Sequence, residues 1–269
     1  MDNRVKCNRI NRTLDALLST NVKREILNGV LEVTQTYFDA LCDAKKATRE
    51  RTGIWADQKY VLEKLLTACE MAFCGCVLDN ESDINTAKWF VRHVMGRVSY
   101  YVGNKKLHES CRLKPQNSMK YAKALKNVVR REKIDQIIFV VPGGLLSAAA
   151  LMYYTKKPLM GIRYSRLSRG DKKVYLPQNM YVAEFKKLVK DKKVLIIDDV
   201  LESGKTVITA ANFVAAFRPK QVYLSVEGSI YRKDLQPELK CEALELNIDR
   251  DYKSYGDPIL LRCHKRTKY

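Results

Sequence analysis

The sequence predicts an α/β fold, a mainly parallel sheet flanked by helices, preceded by a helical N-terminal region. Three observations predict it. Apolar positions recur at spacings of three and four through the first 130 or so residues. From Asp135 the texture changes to short, continuous apolar runs. Those runs alternate with helical segments, as βαβ units require. The division expected is therefore 1–130, a helical region, and 131–269, an α/β domain with a C-terminal basic tail.

Residues 9–19, 22–51, 57–78, 84–101 and 118–132 carry the helical spacing; Val61, Leu65, Leu66 and Cys69 are one such stripe. Breaks fall at Thr52-Gly53, Asp79-Asn80 and Lys114-Pro115-Gln116-Asn117. Gln136–Val141 reads as a buried strand and Leu145–Tyr154 as the helix after it. Pro158–Ile162 and Val194–Ile197 read as the second and third strands, Val207–Phe217 as a helix and Gln221–Val226 as a fourth strand. A polar, basic stretch follows Arg163 and passes into a helix around Val182–Val189. In such folds ligands bind where strands end and helices begin, so the loops after these strands are the places to look for chemistry.

Composition narrows the class. At 46% hydrophobic residues a chain of 269 can bury a full core. No run approaches the roughly 18 to 20 apolar residues of a membrane span, and Met1–Arg12 lacks the apolar core of a secretory signal, so a cytoplasmic protein without a membrane partner is expected. The eight cysteines are dispersed; Cys69, Cys74 and Cys76 lack a C-x-x-C pair and lie in a helical pattern that favours buried thiols over zinc. His93, His108 and His264 are too scattered to change that. The 49 Lys and Arg against 30 Asp and Glu give +19, a field that attracts polyanions: a pyrophosphate-bearing substrate, a nucleic acid or an acidic protein complex. Solvation of helix faces would account for many of these lysines equally well.

The segment Lys193–Val207 carries the chemistry. Four apolar residues make a strand, Asp198 and Asp199 follow, and Ser203-Gly204-Lys205-Thr206 opens a helix. A small turn at a helix N-terminus exposes backbone N–H groups to a phosphate. Ser203 and Thr206 add hydroxyls, and Gly204 lets the backbone approach closely. Paired carboxylates beside that turn suit the vicinal hydroxyls of a sugar. A P-loop is excluded, because its first glycine would fall where Asp199 stands. A structural strand-turn-helix with two solvated aspartates and a receiver-like acidic cluster remain as alternatives.

Residues 195–207 resemble the phosphoribosyl pyrophosphate signature of type I phosphoribosyltransferases, with a Gly-Lys-Thr ending similar to that of hypoxanthine-guanine phosphoribosyltransferases. The resemblance implies that family's fold and its reaction, displacement of pyrophosphate from C1 of the sugar by a nitrogenous acceptor. It places the donor's 5-phosphate on Ser203, Gly204, Lys205 and Thr206, and the ribose hydroxyls on Asp198 and Asp199. Pro142, Gly143 and Gly144 fall where the family has its pyrophosphate loop, although an ordinary strand-helix turn would look the same. Arg163, with Arg166, Arg169 and Lys172 in a mobile-loop position, would face pyrophosphate. Mg2+ is the implied cofactor, carried by donor oxygens, with no side chain assigned as a direct ligand and Asp198 and Asp199 as the candidates to join it. A homodimer is the family's common state.

Glu202 stands where purine-salvage members have an acid near the base; it reads equally as a proton acceptor or as a helix N-terminal acid. Glu227 follows the fourth strand, where those enzymes place a lysine that reads a 6-oxo group. A carboxylate would repel a carbonyl, so either the alignment slips there or the acceptor is not a 6-oxopurine. Tyr252 and Tyr255 suit a hood stacked on a base or a surface loop, and the tail Arg262–Tyr269 suits phosphate contact or solvation. The function expected is a phosphoribosyltransferase. The alternative is a non-catalytic relative that senses nucleotides or joins a nucleic-acid or protein complex, since the helical region exceeds what the basic fold needs.

Overall fold

The computed structural model describes residues 8–43, 52–102, 115–157, 159–164, 173–177, 180–201, 204–229, 244–248 and 259–265. The chain divides into two compact units, 1–115 with 177–180, and 116–176 with 181–269.

The first unit is helical, with α1 Asn8–Ser19, α2 Lys23–Asp43, α3 Thr52–Val77 and α4 Glu81–Val102. The three-four spacing read from the sequence is what the helices bury. On α4 the stripe Ile84, Ala87, Val91, Val94, Val98 and Val102 is covered, while Trp89 and Tyr100 stand exposed. Helices α3 and α4 approach so closely that a methyl group on Gly75 would meet Ile84 Cγ1 at 2.5 Å. Cys69 and Cys74 are buried thiols, and Cys76 is a half-buried one. Burial pushes the Cys69 thiol up to about 12, against a hydrogen-bonding contact to Thr34 Oγ1 at 3.2 Å. Among the described residues, no helix is long and apolar enough to cross a membrane.

The second unit is α/β. Its elements are α5 Pro115–Arg131, β1 Gln136–Val141, α6 Leu145–Thr155, β2 Leu159–Arg163, α7 Met180–Val189, β3 Lys193–Leu201, α8 Lys205–Ala215, β4 Gln221–Ser229, β5 Leu244–Ile248 and β6 Ile259–Lys265. The strands order as β2-β1-β3-β4-β6-β5. The first four are parallel, with Ile137 opposite both Leu159 and Leu195, and Leu195 opposite Tyr223. Continuous apolar runs such as Ile137–Val141 and Val194–Ile197 are wholly buried, as parallel strands covered on both faces must be. Helix α5 falls in this unit from Gln116 onward, where Ser118, Tyr121, Ala122 and Leu125 are fully buried. Helices α7 and α8 join through Phe185, whose ring lies 5.6 Å from that of Phe213 and 4.9 Å from that of Phe217.

Two expectations are corrected here. Of the segment read as a basic tail, Arg262–Lys265 lie in β6, which pairs antiparallel with β4 from Val226↔Ile259 to Val222↔Cys263; the rest of that segment lies outside the described residues. The acid pair does not follow the third strand but lies within it. The β4 strand runs on to Ser229 and pairs Asp198↔Val226, Val200↔Gly228 and Leu201↔Ser229.

Phe185 is fully buried in an aromatic cluster, so Phe185→Ala should cost about 3 to 5 kcal/mol of stability through lost contacts and the cavity left behind. Urea unfolding followed by circular dichroism measures it; a loss under about 1 kcal/mol would show that the cluster closes over the gap.

Candidate functional site

The site lies at the C-terminal ends of β1 and β3. The turn after β1 contains a cis Val141–Pro142 peptide and is closed by Gly144 N–H donating to the Val140 carbonyl at 2.7 Å. It lies directly against the acid pair. A Cβ on Gly143 would sit 2.2 Å from Asp199 Oδ1, and one on Gly144 would sit 2.8 Å from the Ile197 carbonyl oxygen. Both glycines are required because no side chain fits between turn and strand.

Asp198 is buried and Asp199 half-buried. Successive strand residues face opposite sides of a sheet, so the two carboxylates flank β3. The Asp199 N–H donates to Asp198 Oδ1 at 3.0 Å. Burial, with the neighbouring Asp199 charge, nevertheless pushes the Asp198 carboxyl well above the ordinary range.

Helix α8 starts on Gly204, whose φ of 70° places it in the left-handed region. Its carbonyl accepts the first helical bond, from Ile208 N–H at 3.0 Å. The N–H groups of Lys205, Thr206 and Val207 precede that bond and, as in any helical first turn, have no partner within the helix. With the helix dipole they make a place for a phosphate oxygen. Lys205 is exposed and Thr206 half-buried at this end.

Arg163 ends β2 level with Val141 of β1. It is buried, exchanges backbone hydrogen bonds with Tyr175, and lays its guanidinium 4.5 Å from the centre of the Tyr175 ring. Tyr175 was not singled out in the sequence; one tyrosine in a basic stretch gives no signal of its own. Of the other candidates, Glu202, Ser203, Arg166, Arg169 and Lys172 lie outside the described residues, as do Tyr252 and Tyr255.

Glu227 is fully buried. Ser118 Oγ of α5 lies 2.9 and 2.8 Å from its two carboxylate oxygens, and Ser147 Oγ of α6 donates to Oε2 at 2.5 Å. This accounts for the carboxylate that looked out of place in the sequence. It is turned into the interior, held by two serines, and bears no message about a carbonyl on an acceptor. Burial raises its pKa from 4.5 to about 7, opposed by the two serine hydrogen bonds and aided by the Asp199 charge.

This is an α/β domain in which a glycine turn, an acid pair and a helix N-terminus meet at the ends of parallel strands. Residues 113–233 match the family model of the phosphoribosyl transferase domain. No curated protein matches the chain. Among solved structures, purine phosphoribosyltransferase from Pyrococcus horikoshii Ot3 is 28% identical over 44% of this chain and 75% of its own, with a TM-score of 0.36. A hypoxanthine-guanine phosphoribosyltransferase from Bacillus anthracis is 16% identical over 55% of this chain and 92% of its own, with a TM-score of 0.35.

Two outcomes follow from the geometry. Gly204→Ala should destabilise the domain by about 1 to 2 kcal/mol through its left-handed backbone, measured by urea unfolding. Between pH 4.5 and about 7 the folded chain keeps a proton on Glu227 that the unfolded chain has released. This group's contribution is thus full below pH 4.5 and is lost as pH rises through about 7. Glu227→Gln should remove a fall of a few kcal/mol across that window, read from unfolding curves at successive pH values; an unaltered pH profile would contradict the assignment.

Proposed function

We propose that the domain binds phosphoribosyl pyrophosphate and transfers its ribose phosphate to a nitrogenous acceptor, releasing pyrophosphate. The observation that carries this reading is the contact of the Gly143 turn with Asp199: it sets an anion-binding turn beside a group that accepts hydrogen bonds from hydroxyls. The helix start at Gly204 supplies a second anion position one short loop further along the chain. A sugar bearing phosphate at one end and pyrophosphate at the other has this arrangement of groups.

In this reading the first turn of α8, with Thr206 and Ser203, takes the 5-phosphate. Asp199, with Asp198 beside it, holds the ribose hydroxyls. The Pro142–Gly144 turn takes the pyrophosphate, and the buried Arg163, level with Val141, adds positive charge beside it. Holding the ribose still while pyrophosphate departs is the chain's main contribution to rate, since the sugar gains positive charge at C1 and needs fixed dipoles around it. A magnesium ion, if bound there beside Asp199 and Asp198, would neutralise the charge of the leaving group. The residues present fit such an ion, because the half-buried Asp199 carboxylate lies against the glycine turn. Glu202 is the proposed acceptor of the nucleophile's proton.

Titration calorimetry with phosphoribosyl pyrophosphate and magnesium tests the reading. The wild-type chain should bind, and Asp198→Asn combined with Asp199→Asn should weaken binding by about 100-fold, the equivalent of two hydrogen bonds to a charged group. Pyrophosphate release with a panel of nitrogenous bases then identifies the acceptor. Failure of the wild-type chain to bind the donor at millimolar concentration would defeat the reading, and steeply salt-dependent RNA binding that survives both substitutions would favour the non-catalytic alternative.

A further inference from the structure

Glu227 takes no part in the chemistry above, yet a buried carboxylate is a costly occupant of a core. An apolar side chain of similar volume is often neutral or more stable in such a place. Its surroundings suggest a purpose. The register Asp198↔Val226 and Val200↔Gly228 brings Glu227 beside Asp199 on the neighbouring strand, facing the same side of the sheet. Asp199 is the charged group that β3 presents to it; α5 and α6 present the hydroxyls of Ser118 and Ser147.

Ser147 belongs to the first turn of α6, three residues after Gly144. Ala148 N–H donates to the Gly144 carbonyl at 2.9 Å, so the glycine turn and the start of the helix are joined by a backbone bond. From Gly143 the chain leads to Ser147, Ser147 bonds Glu227, strand pairing carries Glu227 to Asp199, and the Asp199 carboxylate packs back against Gly143. These contacts close a ring. Ser118 braces it from α5 by reaching both oxygens of Glu227. The N-terminus of α8 is not part of the ring.

We propose that Glu227 is a positioning residue: with Ser118 and Ser147 it forms a buried strut that fixes the Pro142–Gly144 turn relative to Asp199, and thereby sets affinity for the pyrophosphate end of the donor. This rests on the donor reading given above. The strut works through geometry. It touches no substrate atom, and its loss frees the turn to move away from the acid pair while leaving the 5-phosphate position at α8 unchanged.

The experiment is calorimetry at neutral pH with magnesium, using phosphoribosyl pyrophosphate and ribose 5-phosphate in parallel on wild type, Ser147→Ala, Glu227→Leu and Glu227→Gln. Ser147→Ala and Glu227→Leu should weaken phosphoribosyl pyrophosphate binding about tenfold or more, the equivalent of one hydrogen bond to a charged group. Ribose 5-phosphate affinity should stay within about twofold. Glu227→Gln, which keeps an oxygen and an amide for the two hydroxyls, should restore donor affinity. Equal losses for both ligands, or no loss in a folded variant, would overturn the strut; if Glu227→Leu does not fold, Ser147→Ala decides alone. A wild-type chain that binds neither ligand would instead overturn the donor reading, and the strut with it.

Discussion

No side chain fits between the turn after β1 and the acid pair on β3, and the rest of the second unit is arranged around that exclusion. Gly143 meets the Asp199 carboxylate and Gly144 meets the backbone of Ile197, so the turn is held by contact with the strand. A strand buried on both faces gives it a rigid base, because Val194–Ile197 are covered completely and paired on both edges. The glycine turn and the acid pair are thus brought together by packing alone.

The same closeness has an energetic side. Asp198 and Glu227 are both buried carboxyls whose ionisation is disfavoured, and each lies next to Asp199. Three acids near one another would repel strongly if all were charged. Burial resolves this by favouring the proton on two of them, and Ser118 and Ser147 fix the orientation of one.

Much of this was legible in the chain. Continuous apolar runs located β1 and β3, and the residue order from Asp198 to Thr206 marked the stretch where the acid pair of β3 passes into the start of α8. Other features were hidden for identifiable reasons. Strand β5 alternates Leu244, Leu246 and Ile248 with Glu245 and Asn247, a readable period of two that was passed over; β6 was masked by the basic residues that end it. Ser118 falls on the buried stripe of α5 with Tyr121, Ala122, Leu125 and Val129, so its position was readable although its partner, 109 residues away, was not. Ser147 sits in a run buried all round, where periodicity says nothing. The oddity of Glu227 was the one hint of the network, and only contact geometry could turn it into a place.

The two C-terminal strands change the character of the sheet border. With β6 lying antiparallel along β4, and β5 along β6, the backbone amides and carbonyls of β4 are satisfied by chain that arrives from far downstream. A nascent or shortened polypeptide ending before Ile259 would present β4 as a bare, apolar template for intermolecular pairing. Docking of β6 is thus the moment at which this edge stops being adhesive.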